Sequence, residues 1–221
     1  MKNEKIKLVD FFLRETRPNI KMLINECINI DRSLKSNDTF AFEKVKKDFK
    51  DEWTPPVIPI EGLLSMPEKS IGRELAVHLL NMNKDQEPIH SMPATARFKI
   101  IFPVKKENYV RDRIRQTHDI LHILTNFNTG QPGELALQGF YFGQKTNLLS
   151  VLFLINTITG YFMGIQDRVY IEAMLDGIRM GLNARSGSTF EHFEEAMETN
   201  IEELRSRLSI MPSYGNQWNR C

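Results

Sequence analysis

The sequence predicts an all-α protein, a single helical domain with few or no strands, and three observations carry that reading. Apolar residues recur at intervals of three and four over most of the chain. Proline collects mainly in two short stretches, around 54–59 and 87–104, which helices cannot cross. From Asn108 onward the helical pattern is nearly continuous, broken only by short glycine-containing turns.

Taken in order, residues 6–34 place Leu8, Phe12, Leu13, Ile20, Leu23, Ile24, Cys27 and Ile28 at helical spacing, with a break at Pro18. Asp38 or Thr39 can cap a helix that carries Phe42, Val45 and Phe49 on one side and lysines on the other. The stiff segment Thr54 to Pro59 then divides N-terminal helices (1–54) from a main helical domain (55–221), the two expected to pack as one unit. Ser70 opens a helix with Leu75, Val77, Leu79 and Leu80. Residues 87–104 read as loop around the apolar patch Phe98 to Phe102, with room for one short strand. Helices follow over about 108–126, 132–143, 147–164, 166–183 and 189–208, and the last dozen residues read as a tail.

Composition limits the function. Lys and Arg total 29 against 28 Asp and Glu, a formal net charge of +1, so no basic excess marks a nucleic-acid binder. With 26% charged and 41% hydrophobic residues the chain is globular in type. Two cysteines, Cys27 and Cys221, build neither a disulfide framework nor a cysteine zinc site, and fit a reducing compartment. Lys2, Glu4, Lys5 and Lys7 interrupt any secretory leader, so the expected location is cytoplasmic. The longest apolar run, Leu148 to Ile165, is diluted by Asn156, Thr157, Thr159 and Gly160. It reads as a core or lipid-contacting helix, not a membrane span.

Chemistry concentrates between Tyr109 and Gln144. At about 100° per residue, Arg111, Arg115, His118 and His122 share one stripe of a helix, flanked by Asp119 and Asn126. His118 and His122, one turn apart, can point ring nitrogens at one ion. Asp119 can add a carboxylate or orient a histidine. The breaker Thr129-Gly130-Gln131-Pro132-Gly133 reverses the chain, so a helical hairpin can bring Glu134 back over the histidines. Two plainer readings stand beside this one. A polar stripe on an amphipathic helix is commonly its wet face, and a glutamate in a first helical turn commonly serves the helix dipole. His78, within an apolar run, reads as a core histidine. The adjacent His-Asp pair also resembles HD-type metal phosphohydrolases, for which His78 or His90 would supply an upstream ligand and Asp167 or Asp176 a downstream one.

His118-Asp119-x-x-His122, eleven residues, then Glu134 matches in all four positions the HDxxH-x11-E signature of the fourth coenzyme Q (ubiquinone) biosynthesis protein family. The chain also resembles that family at Tyr109-Val110, Gly133-Glu134-Leu135-Ala136-Leu137, Gly177-x-Arg179-x-Gly181 with Ala184, Met66-Pro67 with Gly72-Arg73, and Glu203-Leu204-Arg205 to Leu208-Ser209-Ile210. The likeness spans roughly residues 60–210. Leu121 replaces an aromatic often found inside the motif, and no organellar presequence is recognisable, which points to a bacterial or divergent branch. The resemblance implies a helical, peripherally membrane-associated protein that holds a divalent metal (Zn, Fe, Mn or Mg) through His118, Asp119, His122 and Glu134. It implies catalysis by those residues at ring carbon 1 of a polyprenylated hydroxybenzoate, by decarboxylation with hydroxylation, alongside other quinone-biosynthesis proteins. The alternative is a non-catalytic scaffold binding an isoprenoid lipid. Arg111 and Arg115 suit an anionic head group, and Phe140, Phe142, Leu149, Leu152 and Phe153 can line a lipid-tail channel, or simply belong to the core. Helices with exposed apolar faces make a homodimer the expected assembly.

Overall fold

The structure, a computed structural model, describes residues 47–48, 50–51, 53, 55–56, 58–84, 109–145 and 149–220. The expected helix over 6–34, His90, the Phe98 to Phe102 patch and both cysteines lie outside these residues. In chain order the helices are α1 (Ile60–Leu64), α2 (Ile71–Lys84), α3 (Tyr109–Thr125), α4 (Gln131–Gly143), α5 (Leu149–Phe162), α6 (Arg168–Asn183) and α7 (Ile201–Leu208). Among the described residues there is no sheet, only two isolated bridges, Ser70 with Asn200 and Phe127 with Asn219.

One expected helix is divided. Residues 189–208 form two 3-10 turns, Ser188–Phe190 and Phe193–Ala196, and then α7, which Asn200 caps by accepting from the Glu202 amide at 2.9 Å. The division turns the Glu191 carbonyl and the Glu194 carboxylate toward Arg113 of α3, which is 2% exposed. Arg113 meets Glu194 through both guanidinium nitrogens, at 2.5 and 2.9 Å, and donates to Gln116 at 3.2 Å. Its guanidinium also lies 5.1 Å above the Trp53 ring. A buried charge without such partners would cost several kcal/mol. The far end of α3 is held the same way. Arg205 of α7 donates to the carbonyls of Ile123 and Leu124, each at 2.9 Å, satisfying acceptors that a helix C-terminus leaves open. The helix bearing both motif histidines is thus fixed at two points, near its start by its own Arg113 reaching residues 191–194 and at its end by Arg205 of α7.

The α4–α6 contact is made backbone to backbone. A methyl group at Gly177 would collide with the Ala136 carbonyl oxygen, one at Gly139 with the Met174 carbonyl, and one at Gly181 with the Phe140 carbonyl. At Gly143 it would stand 2.7 Å from the Leu182 amide nitrogen. Small residues at i and i+4 on each helix create this seam, the only way two helix backbones approach so closely. Gln144 closes its end by donating to the Gly181 carbonyl at 2.6 Å and accepting from the Ser188 amide at 3.2 Å. Leu75, Leu79, Leu121, Leu137, Phe140 and Phe193 belong to one buried core cluster that draws on these helices and the 3-10 segment.

The apolar run seen in the sequence becomes α5, but its large side chains are not core. Its buried residues are Ser150, Thr157 and Gly160, whereas Phe153, Ile155, Ile158, Tyr161 and Phe162 are exposed, Phe162 to 79%. No described helix is long and apolar enough to cross a membrane.

Gly177→Ala inserts a methyl where neither backbone can yield. It should lower unfolding free energy by roughly 1–3 kcal/mol, read from the urea midpoint at an unchanged denaturant slope.

Candidate metal centre

His118 and His122 sit on the inward side of α3, with His122 fully buried and the His118 side chain 30% exposed. The helix ends in a left-handed residue, Asn126 (φ 62°), and the chain turns through Phe127 and Asn128 into α4. Pro132 in the first turn of α4 needs no amide partner, and Gly133 gives room for the Asn128 carbonyl, which a side chain would strike. That close turn sets Glu134 over the two imidazoles.

The three donors then converge. His122 Nε2 lies 3.2 Å from His118 Nε2 and 3.1 Å from Glu134 Oε1, and His118 Nε2 lies 3.4 Å from Glu134 Oε2. An ion held tetrahedrally at about 2.0–2.1 Å from each donor would space its ligands by roughly 3.3 Å. The three spacings are close to that, the two to Glu134 ending on its two different oxygens. Two neutral ring nitrogens presenting lone pairs at 3.2 Å repel unless a proton or cation lies between them, so the donor chemistry fits a metal.

The far ring nitrogens are oriented. His122 Nδ1 is 3.2 Å from the Phe127 carbonyl, which accepts only, so Nδ1 carries the hydrogen and Nε2 keeps its lone pair. His118 Nδ1 lies 3.2 Å from the Tyr141 hydroxyl on α4. Burial, with Glu134 and then Asp119 nearby, pushes the Tyr141 phenol well above its ordinary range and keeps it neutral. Burial also pushes the Glu134 carboxyl up, but hydrogen bonds and charge from His118 and His122 outweigh it and hold the group at about 2. Glu134 is therefore a carboxylate at neutral pH.

Comparison with known proteins turns this geometry into a family. A sequence model described as coenzyme Q (ubiquinone) biosynthesis protein Coq4 matches residues 52–213. The chain belongs to the Coq4 family. It is 33% identical over 170 residues to a mitochondrial ubiquinone biosynthesis protein coq4 of Schizosaccharomyces pombe, covering 76% of this chain and 58% of that one. With the mitochondrial coq4 protein of Talaromyces stipitatus it shares 29% identity over 157 residues, 71% of this chain and 52% of the other. The chain thus spans about half the length of the curated relatives it matches. A crystal structure of a Nostoc punctiforme protein, assigned to ubiquinone biosynthesis, superposes with a TM-score of 0.64 at 19% identity, over 94% of this chain and 98% of that one. That likeness establishes the fold.

Within this Coq4-family chain the motif residues separate. Among the described residues His118, His122 and Glu134 form the one group of three or more histidine, cysteine or acidic donors that converge, and Asp119 stands outside it. Asp119 acts electrostatically on His78 and Tyr141. Arg115 is exposed, and Arg111 lies on α3 with its side chain outside the described set. Phe140 is fully buried in the core, Phe142, Leu149 and Leu152 are half-buried, and Phe153 is exposed, so the five expected tail-lining residues do not share one environment. Asp167 stands at the N-terminus of α6, and Asp176 accepts from Ser213 and Trp218. Neither joins the converging group as a phosphohydrolase ligand would.

Sequence reasoning missed Tyr141 and underrated His78. Tyr141 lies seven residues after Glu134, two turns along the same helix face, a spacing that could have singled it out. The His78 ring stacks at 6.3 Å from that of His122, and its Nε2 is buried without a hydrogen-bond partner. Burial first, then the Arg220 charge, lowers His78 from 6.5 to about 4.

The unfolded chain protonates His78 near pH 6.5 but the folded one only near 4, so the unfolded state holds more protons between them. Metal-free protein should therefore lose stability, on the order of a few kcal/mol, as pH falls through that window. His78→Phe should flatten the urea midpoint there. Glu134, held down, contributes its own acid loss lower, from 4.5 toward about 2.

Proposed function

We propose that the chain works in quinone biosynthesis by holding a divalent metal on His118, His122 and Glu134, with Asp119 behind them, and acting on a polyprenylated hydroxybenzoate at ring carbon 1. The observation that carries this reading is the donor triangle, whose 3.1, 3.2 and 3.4 Å edges suit one ion. Membership of a family described as coenzyme Q (ubiquinone) biosynthesis proteins supports a substrate drawn from that pathway. His118, His122 and Glu134 would hold the ion, which would supply Lewis acidity toward a ring carboxylate. Zinc, iron, manganese and, more weakly, magnesium suit two imidazoles and a carboxylate.

The chain's own residues do the rest. Phe127 and Tyr141 orient the imidazoles, and the neutral Tyr141 phenol holds a proton beside His118. The exposed sides of His118 and Glu134 leave the centre reachable from solvent. Arg115, and Arg111 one turn before it, would meet the anionic head group, and Leu149, Leu152 and Phe153 of α5 offer an apolar wall for the prenyl tail. An exposed apolar helix also supports peripheral contact with a membrane surface, contact with other quinone-biosynthesis proteins, and a homodimer.

A second reading has its own support. The large apolar side chains of α5 point outward whether or not chemistry occurs, so the protein can serve as a scaffold presenting prenylated intermediates to other enzymes.

His122→Ala and Glu134→Gln should each reduce metal content of the purified protein to background while leaving copurified prenyl lipid in place, both read by mass spectrometry. Incubation of the metal-loaded protein with prenylated 4-hydroxybenzoate should release the ring carboxyl group. Metal binding and lipid binding without turnover, for every candidate metal, would leave the scaffold standing and remove the enzyme.

A further inference from the structure

The turn between α3 and α4 has no regular structure of its own to hold it. Residues 213–220, beyond or at the edge of the stretch matched by the family, hold it instead. The Arg220 amide donates to the Asn126 carbonyl at 2.8 Å, and the Asn126 side chain donates to the Ser213 carbonyl at 3.1 Å. The Asn128 amide donates to the Trp218 carbonyl at 2.8 Å, while its side chain donates to the carbonyls of Gln217 and Asn219 at 2.8 and 3.1 Å. Between them Phe127 pairs with Asn219 as an isolated bridge. Asn126, Phe127 and Asn128 are therefore all tied to the same segment.

The segment is itself latched to α6. Asp176 Oδ2 accepts from Ser213 Oγ at 2.5 Å and from Trp218 Nε1 at 2.8 Å, one carboxylate oxygen gripping both ends of the strap. Asn219 ties the two ends together, donating to Ser213 Oγ at 3.2 Å and accepting from the Asn216 amide at 3.0 Å. Trp218 is 8% exposed and belongs to the core cluster.

What this strap holds in place is an acceptor. The Phe127 carbonyl takes the hydrogen of His122 Nδ1, and that contact decides which ring nitrogen faces Glu134. We propose that residues 213–220, latched by Asp176, position His122 by fixing the Phe127 carbonyl, so that the Nε2 lone pair stays turned into the donor triangle. Asp176 and Trp218 are positioning residues: their side-chain hydrogen bonds go to each other and to Ser213, not to the donors. The proposal rests on reading His118, His122 and Glu134 as metal donors. Partners one step removed from a ligand commonly set metal affinity by 10–100-fold.

The test uses the full chain with Asp176→Ala, Asp176→Asn and Trp218→Phe. The last keeps an aromatic ring and removes one donor, so it tests the latch even where loss of the carboxylate prevents folding. Two readouts are taken: zinc affinity by chelator competition, and the His122 tautomer in metal-free protein by long-range 15N–1H correlation. Asp176→Ala and Trp218→Phe should weaken zinc binding by roughly 10–100-fold and mix the His122 tautomers, with Asp176→Asn falling between them and the parent chain. Cobalt-loaded samples should show a shifted d–d absorption band. Folded variants that keep parental zinc affinity and a single Nδ1–H tautomer overturn the strap. Absence of zinc binding by the parent chain overturns the metal reading instead, and the tautomer measurement still decides the strap.

Discussion

The absence of four Cβ atoms governs this molecule. Gly139 and Gly143 on α4 face Gly177 and Gly181 on α6, and the two backbones touch where side chains would otherwise keep helices 8–10 Å apart. Because α4 is seated directly on α6, its other face is committed to α3. That face carries Glu134 at its first turn and Tyr141 two turns later, the carboxylate and hydroxyl that meet the two histidines. Displacing α4 by the width of a methyl group would open the donor triangle, whose edges differ by only a few tenths of an ångström.

The second support is the double arginine grip on α3. Arg113 reaches a carboxylate and a carbonyl from the 3-10 segment, and Arg205 reaches the last carbonyls of the helix. Neither grip touches the donors, yet they fix where the histidine helix begins and ends relative to α7 and to residues 188–196. Near neutrality of net charge conceals this arrangement, since a balanced composition says nothing about which charges are inside.

Much of the site was legible in the sequence, because its logic is local. One-turn spacing puts His118 and His122 together, a glycine–proline breaker reverses the chain, and Glu134 follows at once. Periodicity likewise placed α3 through α6 within about two residues at each end, and the start of α2 within one. The rest depends on contacts far apart in sequence. Arg113 was overlooked between Arg111 and Arg115 because nothing local tells an arginine that a carboxylate waits at Glu194. The 3-10 interruption of the expected 189–208 helix carries the groups that meet that arginine, so it was hidden for the same reason. Residues 213–220 looked like a tail because their role is played by backbone carbonyls and amides, which have no pattern to read.

The outward-facing side chains of α5 leave a thermodynamic mark. Apolar groups already hydrated in the native state add nothing to the change in hydration on unfolding, and it is that change that sets the heat-capacity increment. A helix rich in Phe, Ile and Leu would ordinarily contribute above the average of about 12–15 cal/mol/K per residue. Here it contributes less, because Ser150, Thr157 and Gly160 are the residues it hides. The stability curve is correspondingly flatter with temperature than the hydrophobic content of the chain suggests, and its curvature would steepen once that face is covered.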